Sequence, residues 1–294
     1  MVVVDRAGVA AGASGRNSGV LQHPLDPALS AWHLETLALY RELEGFPLSD
    51  EPDGILLLGR TSTEGLPADV DPVSVNEARE VEPVVLPGIP AVRVNTGWVV
   101  GPRTATEAWA ARAERAGARF VVGAEPPAAA QTLVATGVWT EGVEPLWGVT
   151  AGTRTRSGHA LEEAGVEANL AELEGEIFTL CGNRLGSSFA RGNEPDADAV
   201  ARRLQQRARR FVGGVEITDV MACPRPRSTT GELILERRDE RTVVCAGHGP
   251  WGISIGPATA RAAARLVLSP GLAKTSPSPS RAPTSRRSAS APGS

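Results

Sequence analysis

Apolar side chains along this chain recur with two different spacings. Over 27–44, Leu29, His33, Leu37, Tyr40 and Glu44 fall on one side of a helix. Asp26 can cap its first turn, Pro27 suits its first position and Gly45 stops it. A second helix is predicted over 102–116, ended by Gly117, and a third over 196–212 with a strongly basic outer face. Pro257 opens a fourth, since 258–268 is made of strong helix formers. Between the helices lie runs with strand character at 54–58, 92–100, 146–150, 176–181 and 184–189. Gly182-Asn183 is a hairpin turn between the last two. The second helix leads across a glycine into the strand Arg119–Val122, the helix-to-strand order that a parallel sheet requires. The pattern predicts an α/β chain in which an antiparallel sheet is inserted into a parallel one.

Composition narrows the picture. The chain has 294 residues, room for about two domains. Hydrophobic residues make up 41%, enough for a substantial core. The net charge is −4, and the cations Lys274, Arg281, Arg286 and Arg287 sit in an acid-free end, so the body is more acidic still. An acidic body argues against a nucleic-acid partner. The segment 269–294 is rich in Ser, Pro and Arg and nearly free of large apolar groups, so a disordered tail is expected. No apolar run is long enough to span a bilayer and no signal peptide is visible at the start, which gives the expectation of a cytoplasmic protein with no membrane partner. Cys181, Cys223 and Cys245 are far apart and odd in number, and read as buried free thiols. His23, His33, His159 and His248 show no metal-ligand spacing.

One segment has two readings. Gly247, Gly249 and Gly252 fit G-x-G-x-x-G, after the β-rich run Thr242–Ala246. Alone, that is a dinucleotide fingerprint, with glycines that let the backbone approach a pyrophosphate. The fingerprint also needs a following strand and an acid about 20 residues on. No Asp or Glu follows Glu240, and no strand-like run follows Leu268. A nicotinamide dehydrogenase is therefore excluded, and the glycines close a fold instead of opening one. The acidic strand end lies at the other terminus, in Val2–Asp5.

Four stretches in order carry a family resemblance. VVVDRAGVAAGASGRNSGVL (2–21), VATGVW (134–139), CPRPRSTTG (223–231) and GHGPWGISIGP (247–257) resemble motifs of the FAD-dependent D-amino-acid-oxidase-like family, the glycine oxidase and sarcosine oxidase group. The resemblance covers most of 2–268. It implies an FAD-binding Rossmann-like parallel sheet with an inserted antiparallel α+β substrate domain. The cofactor domain is expected at 1–26, 101–140 and 223–268, and the substrate domain at 27–100 and 141–222. The implied cofactor is FAD. The implied reaction oxidises a small amino acid or amine to an imine by hydride transfer, with the electron acceptor left open.

The resemblance also implies residue roles. Asp5, at the end of a buried strand, would hold the adenosine ribose, with Arg6 beside it. Ser14, Arg16 and Asn17, in the loop 12–19, would run along the cofactor. Gly137 would lie in a turn approaching the flavin. Gly247, Gly249, Gly252 and Ile253 would approach the ring through backbone atoms, with the positive end of the helix at Pro257 facing its pyrimidine edge. Arg225 would grip the substrate carboxylate as a two-donor fork, with Arg227 as the alternative. Thr230 departs from the family, which usually carries Asp there. Trp98, Trp109, Trp139, Trp147 and Trp251 read as core or cleft lining. The family's first strand, glycine turn and first helix would precede Val2, and its longer β-rich excursion would occupy 124–131. A start-site error and a real loss both fit these gaps, so the alternative to an active enzyme is a truncated, non-catalytic relative that does not bind FAD.

Overall fold

The computed structural model describes residues 1–24, 26–165 and 174–269. The segment expected to be a disordered tail lies outside them, apart from Ser269.

An eight-stranded sheet dominates. Its order is β13 (Ile217–Ser228), β9 (Val143–Thr153), β12 (Arg184–Arg191), β11 (Gly175–Cys181), β10 (Ala160–Glu163), β3 (Ile55–Leu58), β5 (Ala91–Val94) and β4 (Val73–Val75). Every neighbouring pair is antiparallel except β10 with β3. Gly182, at φ 56°, turns β11 into β12, with Cys181 opposite Arg184. The expected strand 92–100 is instead broken. Gly97 takes φ 92°, and a Cβ there would come 2.5 Å from the Ile55 side chain. The chain therefore leaves the sheet after Val94, and β6 (Trp98–Val99) pairs with β2 (Val20–Leu21).

One face of this sheet is sealed by helix α3 (Ala197–Ala208). Asp196 caps it by accepting from the Ala199 amide at 3.0 Å. Its Val200, Ala201, Leu204 and Ala208 pack on Leu56, Leu58, Val149, Ala151, Leu161, Phe178, Leu180 and Leu185. Each large side chain buried here contributes about 1.5–3 kcal/mol. The basic residues of α3 turn outward, where Arg203 meets Glu176 and Arg207 meets Glu163.

The parallel part of the fold is in two pieces. β1 (Val2–Asp5) pairs in parallel with β7 (Arg119–Val122), joined through helix α2 (Pro102–Arg115). β15 (Thr242–Ala246) lies between β8 (Thr132–Val134), parallel to it, and β14 (Ile234–Arg237), antiparallel. The expectation that Asp5 ends a buried strand is corrected. β1 has β7 as its one strand partner among the described residues, Val2 keeps 39% of its surface exposed and Asp5 is exposed. The expected division at 222–223 falls inside β13, which pairs with β9 from Asp219 to Ser228 without a break. Those at 26, 100 and 140 fall between elements.

Helix α1 (Pro27–Arg41) starts as expected, with Asp26 accepting from the Ala28 amide. It packs on α4 (Gly252–Leu268). Here the sequence reading is corrected: α4 begins five residues before Pro257, which lies inside the helix. Proline removes the donor that would serve the Ile253 carbonyl. Helix α1 supplies polar partners around that point. Thr36 Oγ1 accepts from the Ala258 amide at 3.3 Å, and His33 Nδ1 lies 3.3 Å from the Ser254 carbonyl. Burial, with His23 nearby, lowers the His33 pKa to about 4, so the ring is neutral and Nδ1–H is the donor.

Candidate functional site

Three short helical turns gather on one strand. Ala13–Gly15, Gly137–Trp139 and Gly249–Trp251 all pack against β13. The meeting place is its C-terminal half. Gly137 faces Pro226, Gly247 faces Ser228 and His248 bridges Arg227 through the backbone. The charge of Arg16 also reaches Cys223, whose thiol is pushed up by burial and drawn back by Arg16 and Arg225. Sequence stretches more than 200 residues apart are thus brought to one edge of the sheet.

The glycines here divide into two kinds. Some are dictated by the protein's own packing. A Cβ on Gly15 would meet the Ala10 carbonyl oxygen at 2.1 Å, one on Gly19 the Val100 carbonyl oxygen at 2.3 Å, and one on Gly247 the Ser228 Cβ at 2.9 Å. Gly19 and Gly247 also have φ near 80°. Gly12 and Gly249 are different: a Cβ at either would meet nothing within 4 Å, and at Gly252 the nearest atom is 3.9 Å away. The space beside them is open. Helix α4 starts next to that space with no side-chain cap, so its first-turn amides and positive end carry no side-chain acceptor. The charged end expected at Pro257 is therefore at Gly252. Ile253, expected beside it, packs against the cluster of α1 and α2 side chains. His248 Nε2 sits 2.8 Å from Thr259 Oγ1, which donates to the Gly256 carbonyl, so the ring tethers the glycine turn to α4. Burial lowers its pKa to about 4.

Arg225 sits on β13 with its side chain laid across β9. Gly148 makes that possible, since a Cβ there would lie 2.2 Å from one guanidinium nitrogen of Arg225. Beyond it the fork donates to the Ser188 carbonyl and to Ser187 Oγ, each at 2.8 Å, and stands 4.7 Å from the Phe189 ring centroid. Desolvation of the head lowers the Arg225 pKa to about 10, which leaves it fully charged at neutral pH. Among the described residues no carboxylate pairs with it. Arg227 differs: it donates to Glu144 at 2.8 Å. Gly148, Ser187 and Ser188 escaped the sequence reading, although glycine within a strand is itself a signal of close approach.

The remaining expected residues stand on β1, on the loop that follows it and on the turn at Gly137. One Asp5 oxygen accepts from the Ala7 and Gly8 amides at 2.8 Å each, while the other takes no hydrogen bond from described residues. Ser14 and Arg16 are exposed on their loop. Asn17 braces it, donating to the Ser14 carbonyl at 2.8 Å and accepting from the Gly19 amide at 2.9 Å. Trp139 corrects the expectation of core or cleft lining. It is 64% exposed, and Arg6 stacks on it at 4.8 Å. Gly137 takes φ 62°, as its turn demands. Cys181, Cys223 and Cys245 are buried and free.

The chain matches the family described as FAD dependent oxidoreductase over residues 1–266. No match is found among curated proteins. Among solved structures, glycine oxidase from Bacillus cereus is similar with a TM-score of 0.72 and 19% identity, over 92% of this chain and 90% of that one. Iminodiacetate oxidase from Chelativorans sp. gives 0.73 and 15%, over 94% and 90%. L-alpha-glycerophosphate oxidase from Mycoplasma pneumoniae, solved with FAD bound, gives 0.69 and 16%, over 91% and 88%. These likenesses show the fold. With the match spanning most of its length, the chain belongs to the family of FAD-dependent oxidoreductases.

Proposed function

We propose that this protein oxidises a small, carboxylate-bearing amino acid or amine to an imine, which water then hydrolyses. The observation that carries the reading is Arg225. It is a desolvated cation without a carboxylate partner among the described residues, held in one orientation by Ser187, Ser188 and Phe189. It stands on the strand where the three glycine turns meet. A buried charge is costly unless paired, so an anionic ligand at this place is favoured.

The residues present fit FAD. Open space beside Gly12, Gly249 and Gly252 suits a flat group approached by backbone. The uncapped start of α4 suits an electron-rich ring edge. The spare Asp5 oxygen suits a ribose hydroxyl, and Ser14, Arg16 and Asn17 stand on the loop between β1 and β2, with Ser14 and Arg16 exposed to a ligand. When bound, FAD supplies the hydride acceptor. The chain's own part is binding and orientation: Arg225 fixes the carboxylate and so the direction of the α-carbon. No protein nucleophile is required. The cofactor unit is proposed at 1–26, 101–140 and 223–268, and the location as cytoplasmic.

The test is a pair of titrations on Arg225→Lys, one with FAD and one with a competitive carboxylate. Lysine keeps the charge and loses the planar fork. Carboxylate affinity should fall about ten- to a hundredfold, the equivalent of roughly 1.5–3 kcal/mol, with FAD affinity unchanged. An unchanged carboxylate affinity with collapsed FAD binding would make Arg225 a cofactor or structural residue. Failure of the wild-type chain to bind FAD at all would favour the non-catalytic alternative.

A further inference from the structure

The two pieces of parallel sheet are bridged at their carboxyl ends. β1 ends at Asp5, and the next residue, Arg6, lays its guanidinium over the Trp139 ring, 4.8 Å from the centroid. Trp139 follows β8, on the turn Gly137–Trp139. In open parallel sheets, ligands bind outside the carboxyl ends of the strands. Both sides of the bridge are fixed by local geometry. One Asp5 oxygen accepts from the Ala7 and Gly8 amides, which closes a turn around Arg6. The Trp139 amide donates to the Thr136 carbonyl at 3.3 Å, and the Thr136 and Thr140 hydroxyls lie 2.9 Å apart.

This bridge leaves the charge of Arg6 uncommitted. Stacking uses the face of the guanidinium, while its five N–H donors point outward in the plane. Among the described residues Arg6 takes part in no hydrogen bond and no ion pair, and it is exposed. Arg210 and Arg225 also stack on rings, but their donors are engaged by Glu163 and by Ser187 with Ser188. Trp139, itself 64% exposed, therefore holds a cation in place without neutralising it. Contacts lead from Asp5 to β13 by way of this pair. Arg6 adjoins Asp5 and stacks on Trp139, and the same turn carries Gly137, where a Cβ would lie 4.0 Å from Pro226. In FAD the diphosphate joins the adenosine half to the flavin half. With the ribose at Asp5 and the ring beside Gly249 and Gly252, the diphosphate falls between them.

We propose that Arg6, held flat on Trp139, binds the diphosphate of the cofactor, with Trp139 as the positioning residue that aims it. A guanidinium fork meets phosphate oxygens with two parallel donors. This rests on FAD binding with its ribose at Asp5, as proposed above.

The test is calorimetric titration of the FAD-free protein with ADP and with adenosine, which share the ribose and differ in the diphosphate. ADP should bind at least about tenfold more tightly to the wild type, an advantage that shrinks as salt is raised. In Arg6→Gln the advantage should fall below about twofold, with adenosine affinity unchanged, and Arg6→Lys should keep part of it. Trp139→Leu leaves the cation and removes its platform, so ADP affinity should drop about threefold or more while that of adenosine stays. A purely structural contact would move the Tm of these variants and leave the ratio alone. Equal affinities in the wild type, or a full advantage kept in Arg6→Gln, would overturn the proposal. An FAD titration separates it from the reading beneath. If FAD binds but the ADP advantage is absent or ignores Arg6, the diphosphate assignment alone fails. If FAD, ADP and adenosine all fail to bind, the FAD reading fails and this assignment with it.

Discussion

Gly148→Ala isolates the role of Arg225 without touching it. Gly148 lies within a regular strand and not at positive φ, so alanine is allowed by the backbone. The new methyl would lie 2.2–2.5 Å from the guanidinium atoms of Arg225. Those atoms are the far end of a flexible side chain, so the clash is relieved by rotating the arginine away. Two charge-assisted contacts, to Ser187 and Ser188, are lost with it. Hydrogen bonds to a charged group are each worth about 1.5–3 kcal/mol, but the displaced head regains water, so the net loss of stability should stay near 1 kcal/mol. The carboxylate site loses its orientation entirely. Affinity for acetate should fall by about ten- to a hundredfold, since one decade is about 1.4 kcal/mol. The assay is a flavin-spectrum titration with acetate, beside a thermal melt and an FAD titration. Unchanged acetate affinity in a folded, FAD-loaded variant would refute the assignment of the carboxylate to Arg225.

Two further outcomes follow from the same geometry. Gly247→Ala should lower stability by about 1–3 kcal/mol, read as a fall in Tm, because φ 81° and the Ser228 contact at 2.9 Å both oppose a side chain. Acid should destabilise the fold through the buried His33 and the partly buried His248, each held neutral with a pKa lowered to about 4 by desolvation. Below their ordinary pKa of about 6.5 the unfolded chain binds protons that the folded chain refuses, so stability falls as pH drops from about 6.5 through 4. His248→Gln should flatten part of that loss in pH-dependent melts, and an identical profile would remove His248 from the account.

The sequence was most readable where local chemistry decides the outcome. Asp26 and Asp196 cap their helices, Gly182-Asn183 closes its hairpin, and Gly117 ends α2 at positive φ, whereas α1 stops at Arg41, short of the expected end at Glu44 before Gly45. It misled where a distant element changes a local rule. Pro257 looks like a helix start, yet Thr36 and His33 of α1 supply polar partners that let the helix begin at Gly252. The 92–100 strand breaks because Gly97 meets Ile55, forty-odd residues away in the chain. Trp139 looks like a core residue and is instead an exposed platform for Arg6. Arg225 was legible from its motif, but Gly148 and Ser187 were not. Their roles exist only once β13, β9 and β12 lie side by side.

The central claim is that the chain's family chemistry is turned on a carboxylate-bearing amine held by Arg225. Anaerobic mixing of the FAD-loaded protein with a panel of small amino acids and secondary amines tests it most directly. The account predicts that at least one member bleaches the visible flavin band and yields the matching carbonyl compound, with a rate that collapses in Arg225→Lys. A wild-type protein that binds FAD and is bleached by dithionite, yet by none of these substrates, would contradict it.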